Sequence, residues 1–182
     1  MKKFLTVLLI IAVFAAMVIG LLTIRDKGKG EGLSVFWTDD VDDFARELCS
    51  EAVSDKEKVF NIYSWITENI RYDYGAGMDY QHFDVGRTLQ TKKGICFDYA
   101  NLFAALCRSQ GIPCYIVDGY SRDNSSYKHT WNRVYYDDVW WNLDVTDDAI
   151  QIQENKDVLY GFRSIGTDPE IDDDEYVITR FY

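Results

Sequence analysis

The stretch KKGICFDYANLFAALC, Lys92 to Cys107, sets a cysteine between a glycine turn and the first turn of an amphipathic helix. A thiol at a helix N-terminus faces backbone N–H groups without intrahelical acceptors and the positive end of the macrodipole, and both favour thiolate over thiol. The same N–H groups can hold an oxyanion when a carbonyl is attacked. Taken alone, Cys96 reads first as a small buried hydrophobe, because cysteine is among the most buried residue types.

A nucleophile needs a base, and the chain has two histidines, His82 and His129. His129 lies in KHTWNRVYY, where it shares a strand face with Trp131, Arg133 and Tyr135. In VWWNLDVT, Asn142, Asp144 and Thr146 share one face, opposite Trp141, Leu143 and Val145. With Asp137-Asp138 as a two-residue turn, Tyr136 pairs with Val139, His129 faces Thr146 and Asp144 is the diagonal neighbour. A register shifted by two puts His129 directly opposite Asp144, whereas an odd loop sends the carboxylate to the other face. Cys96, His129 and Asp144 therefore make a possible nucleophile, base and orienting carboxylate, a set suited to attack on an amide carbonyl.

The elements that must position these groups are helices first and strands later. Thr38 or Asp40 caps a helix over about 41–53, with Phe44, Leu48 and Ala52 on one face. Ser54 and Glu57 form a capping box for a second helix whose stripe is Val59, Phe60, Ile62, Tyr63, Ile66 and Ile70, with Trp65 beside it as core. Gly75 and Gly77 break that helix, and helical character returns around 84–90. The helix after Gly94, from about Phe97, buries Leu102, Phe103, Leu106 and Cys107 and stops at Gly111 and Pro113. The period then changes to two in CYIVDGYS, KHTWNRVYY and VWWNLDVT, three strands rich in aromatic and β-branched residues. The expected fold class is α+β, with N-terminal helices, the nucleophile at a helix N-terminus, and an antiparallel sheet.

Ahead of this region, Phe4 to Ile24 runs for 21 residues without a charge or proline. At about 1.5 Å per residue it spans one bilayer core of roughly 30 Å. We read residues 1–24 as an uncleaved signal anchor, the competing reading being a cleaved signal peptide. Residues 25–32, RDKGKGEG, are a flexible tether, and 33–182 are one domain. Lys2 and Lys3 are balanced by Arg25, Lys27 and Lys29, so charge bias does not set orientation. The usual layout of a short N-terminus ahead of one span makes the domain membrane-anchored and extracytoplasmic, or secreted if the segment is cleaved.

The whole chain carries a formal charge of −11, and beyond residue 24 it has 17 basic and 30 acidic side chains. Such a surface repels phosphate backbones, which excludes nucleic acid as a partner. The acidic run Asp168 to Glu175 lacks the spacing of a calcium loop and reads as solvated surface. Cys49, Cys96, Cys107 and Cys114 contain no C-x-x-C and no zinc-site spacing to the histidines, so no metal or other cofactor is expected. One disulfide among Cys49, Cys107 and Cys114 stays open.

Taken together, Gly94-Ile95-Cys96 with Tyr99-Ala100, His129 with Trp131 and Asn132, and Asp144 with Thr146 resemble the transglutaminase-like superfamily, the papain-like cysteine enzymes that include transglutaminases, peptide N-glycanases and peptidases. EKVFNIYSWITENIRYDY, Glu57 to Tyr74, is similar to the segment that leads into that core, and the resemblance covers about 53–148. Thr130, Val145 and Asp147 depart from the usual pattern around the groove and the strand exit. The resemblance implies a Cys-His-Asp thiol hydrolase or acyltransferase acting through a thioester on a peptide or protein, and the extracytoplasmic address makes cell-wall peptides or secreted proteins the expected substrates. The resemblance assigns no side-chain donor to the oxyanion: Tyr72 and Tyr74 are candidates, and both read equally as aromatic core. The alternative is a non-enzymatic binding or cell-envelope assembly module that keeps the fold.

Overall fold

A computed structural model describes residues 35, 37–76, 84–154, 163–166 and 176–181, all within the unit Gly32–Tyr182. The apolar segment 4–24, His82 and the acidic run 168–175 lie outside the described residues. Among the described residues no helix is long and apolar enough to cross a membrane.

Helix α1, Asp39–Leu48, starts at an N-cap Thr38 and ends five residues before the sequence expectation. The chain has to turn there, because Ser54 already caps α2, Asp55–Asn69, by accepting the Glu57 N–H at 3.2 Å. Glu57 answers by accepting the Val53 N–H at 2.8 Å. A two-residue strand β1, Arg71–Tyr72, follows α2. Helix α3, Val85–Thr91, is capped by Asp84 and leads into β2, Lys93–Gly94. β1 and β2 pair in parallel as a separate two-stranded sheet, Tyr72 beside Gly94.

Helix α4, Cys96–Ser109, is the centre of the core. Leu102, Phe103, Ala104, Ala105, Leu106 and Cys107 are all fully buried. Each large apolar side chain so buried stabilises the fold by roughly 1.5–3 kcal/mol. α4 packs on α1, α2 and α3 and against strands β3, Cys114–Ser121, and β4, Lys128–Tyr136. All four cysteines are free thiols, so the disulfide left open in the sequence is not formed.

The main sheet has the order β6-β5-β4-β3-β7 with antiparallel neighbours, where β5 is Val139–Leu143, β6 is Arg163–Gly166 and β7 is Tyr176–Phe181. The two-residue turn is as expected: Asp137 and Asp138 have φ of 53° and 61°, the left-handed pair that suits a type I′ hairpin, and Tyr136 pairs with Val139. The third expected strand is corrected in length. Its ladder ends at Asn132 with Leu143, and Val145–Gln153 is a helix, α5. Asp144 accepts the N–H groups of Thr146 and Asp147 at 3.1 and 3.0 Å, so the residue read as the strand's polar face is the cap of the next helix.

Candidate active site

Cys96 is the first residue of α4, one position earlier than the periodicity predicts. The turn into it is tight. A Cβ on Gly94 would lie 2.5 Å from the Asp98 Cβ, so a side chain there would push the helix start away. Asp98 returns to accept the Ile95 N–H at 2.9 Å. The Cys96 N–H is among the helix-start donors that have no intrahelical acceptor. The parallel ladder holds β1 against this turn: the Asp73 N–H donates to the Gly94 carbonyl at 2.8 Å, and Lys93 pairs with Asp73 at 2.9 Å. Tyr72 is thereby fixed beside the cysteine. Burial raises the Tyr72 hydroxyl above its ordinary range, and the negative charge at Cys96 adds to that.

His129 sits at the far end of β4, beyond the last β5 pair, opposite Gly119 of β3. Its Nε2 meets Asp144 Oδ2 at 2.5 Å, while Asp144 Oδ1 is held by the two α5 N–H groups. One carboxylate therefore starts a helix with one oxygen and orients an imidazole with the other. The ring also hydrogen-bonds Cys96, and with Nε2 engaged, Nδ1 is the nitrogen left for the thiol. His129 is 7% exposed. Burial opposes its charged form, but the bonds to Asp144 and Cys96 and their negative charges outweigh it and push the pKa up to about 10. Cys96, His129 and Asp144 thus come together, the carboxylate through a helix cap and not through the strand register that suggested it.

The three open into a cleft of about 310 Å³, walled by Tyr72, Tyr127, Trp131 and Tyr176. The His129 ring lies 6.1 Å from Tyr127 and from Trp131, both stacked, and 5.6 Å from Tyr176. Trp131 reaches across β3, where a Cβ on Gly119 would come within 2.7 Å of its ring. Tyr74, the other oxyanion candidate, tilts against Tyr72 at 4.9 Å and is 77% exposed, outside the cleft lining. Sequence reasoning missed Tyr176, on a strand distant in sequence, and Tyr127, in the loop two residues before His129, for which the alternation Tyr127, His129, Trp131 was the signal. It also missed α5, for which the signal was present: Asp144 followed by Thr146, Asp147 and Asp148 is an N-cap with an acidic first turn. Thr130, a departure from the family pattern, donates to Asp118 Oδ1 at 2.8 Å across β3 and β4. Among the described residues no group of three His, Cys, Asp or Glu side chains could hold a metal ion.

A thiol at the start of a buried helix, an imidazole at a strand end and a carboxylate behind it share one aromatic cleft of an α+β fold, the arrangement seen in papain-like folds. The sequence pattern of the transglutaminase-like superfamily matches residues 42–145, and the chain belongs to that superfamily. It is 35% identical over 117 residues to the kyphoscoliosis peptidase of Homo sapiens, a match that covers 58% of this chain and 18% of that protein. Hillarin of Drosophila melanogaster is 27% identical over 115 residues, covering 54% and 13%. The chain therefore matches less than a fifth of the length of either. Among solved structures, the periplasmic domain of TgpA from Pseudomonas aeruginosa bound to ethylmercury aligns with a TM-score of 0.53 at 22% identity, covering 63% of this chain and 46% of that one. LapG of Legionella pneumophila aligns with a TM-score of 0.55 at 13% identity, covering 82% and 85%. These likenesses establish the fold.

Proposed function

We propose that the domain is a cysteine-dependent acyl-transfer enzyme that cleaves an amide or peptide bond through a thioester on Cys96. The observation that carries this reading is the buried imidazole of His129 held between the Asp144 carboxylate and the Cys96 thiol inside an open cleft. His129 takes the Cys96 proton, and the thiolate adds to the carbonyl carbon. The oxyanion is received by the Cys96 N–H and the Tyr72 hydroxyl. As the tetrahedral species collapses, the C–N bond breaks and His129 returns its proton to the departing amine. Water then attacks the thioester and gives a hydrolase, or an amine attacks and gives a transamidase; in either case His129 accepts the proton of the attacking group and Cys96 leaves protonated. Asp144 remains ionised throughout, orienting the ring.

The name peptidase on the human relative and the periplasmic origin of one structural neighbour support a peptide substrate met outside the cytoplasm. The apolar segment 4–24 supports delivery there as a membrane-anchored domain. Cell-wall peptides or secreted proteins are then the substrates at hand. The test is incubation of the full-length chain with a peptide library and intact-mass detection of an acylated Cys96. A mass increase absent from Cys96→Ala is expected; no adduct and no cleavage, with a biological effect unchanged in Cys96→Ala, overturns the enzyme reading.

A further inference from the structure

Cys96 and His129 belong to a helix and a strand, between which no backbone ladder runs, so side chains must set their separation. Asn132 lies three residues along β4 from His129 and is fully buried. Its Nδ2 donates to the Ala100 carbonyl of α4 at 3.0 Å and to the Tyr115 carbonyl of β3 at 3.2 Å. Ala100 is four residues, one helical turn, beyond Cys96 on the same helix face. Both neighbours are carbonyl oxygens, so the amide nitrogen must be the atom that faces them. The Oδ1 is left buried with no partner. An apolar residue would pack here without that burden. What the amide adds is two directed bonds that tie the cysteine helix to the histidine strand and to the strand behind it.

We propose that Asn132 is a positioning residue that fixes how closely α4 seats on β4, and so holds the Cys96 thiol in hydrogen-bonding range of the His129 ring. It touches neither substrate nor the reacting atoms, and the inference rests on the proposed thiolate–imidazolium chemistry. Two further ties on α4 run to other elements: Tyr99 donates to the Ile70 carbonyl at 2.7 Å, and Arg108 to the Cys114 carbonyl at 2.8 Å.

The experiment measures carboxamidomethylation of Cys96 by iodoacetamide in the full-length chain at about pH 6 and about pH 9, where thiolate and thiol are separated by rate. The variants are Asn132→Ala, Asn132→Ser, which keeps one donor, His129→Ala, and Leu106→Ala, which opens a cavity further along α4 at another fully buried position. Asn132→Ala is expected to react roughly tenfold more slowly at the lower pH with little change at the higher one. Asn132→Ser should fall between it and wild type, and Leu106→Ala should keep the wild-type ratio. If Asn132→Ala does not fold, Asn132→Ser decides. Wild-type rates in the folded Asn132 variants overturn the inference, as does an equal loss in Leu106→Ala at a matched melting temperature. Wild type reacting no faster than His129→Ala at the lower pH removes the thiol–imidazole reading itself, and this inference with it.

Discussion

Helix α4 carries a cysteine in its first turn and another in its last, and their surroundings are opposite. Cys107 is fully buried among apolar side chains and hydrogen-bonds Cys114. Burial pushes its thiol well above the ordinary range, and the neighbouring Cys114 and Cys49 reinforce the shift. Cys96 is partly exposed, lines an open cleft and contacts an imidazole that a carboxylate keeps charged. Residue type and helix are the same, so the difference lies in which end of the helix meets the place where the sheet stops. β5 leaves the sheet after Leu143, Asp144 turns out to cap α5, and the buried His129 ring faces the start of α4 at that point. The proposed site thus sits where regular structure ends.

The contrast can be tested by mutating its two sides. Cys96→Ala should lower acyl transfer by on the order of 10⁴-fold or more, whereas Cys107→Ala should leave the rate per folded molecule unchanged; steady-state kinetics on both variants checks it. Asp144→Ala comes next. It frees the His129 ring and should cost about 10³- to 10⁴-fold in kcat. It also removes the α5 cap, lowering stability by about 1 kcal/mol, which a denaturant titration would register. Tyr72→Phe deletes the proposed oxyanion donor and should lower kcat by about 10²-fold with KM little changed, while Tyr74→Phe, at the exposed position, should have no effect. Cys107→Ser places a hydroxyl in the apolar core and should destabilise by about 1–3 kcal/mol with no change in the Cys96 alkylation profile.

Much of this contrast can be read in the sequence, for physical reasons that also explain what cannot. The capping box at Ser54, the stripe of α2 and the stop at Gly111 and Pro113 are local, so the helices follow from short-range rules. The Asp137-Asp138 hairpin is local too, and its register came out with Tyr136 on Val139. Cys96, His129 and Asp144 stand out together in the sequence because each carries distinctive chemistry, and the structure brings them into one cleft. The route was different: strand parity placed Asp144 near His129, but the carboxylate reaches the ring from a helix cap, because Asp144 followed by Thr146 and Asp147 competes for a helix start. Tyr176 and the parallel β1–β2 pair depend on long-range pairing that no local pattern encodes, whereas Tyr127, two residues before His129, was a local neighbour that the strand reading began too late to include.

A further test concerns pH. The folded His129 pKa lies above its ordinary value of 6.5, so the charged ring contributes stability that is fully present below pH 6.5 and is lost as pH rises through about 10. Wild-type stability should therefore decline across that window relative to His129→Ala, as followed by melting temperature against pH.

The central claim, that Asp144 and Cys96 keep the His129 imidazole charged and ready to exchange a proton with the thiol, is most directly tested by nitrogen NMR of that ring as a function of pH. The account predicts a ring protonated on both nitrogens at about pH 8, with its titration displaced toward 10 and falling back in Cys96→Ala. A ring that is neutral at that pH, titrating near 6.5 and indifferent to Cys96→Ala, would contradict it.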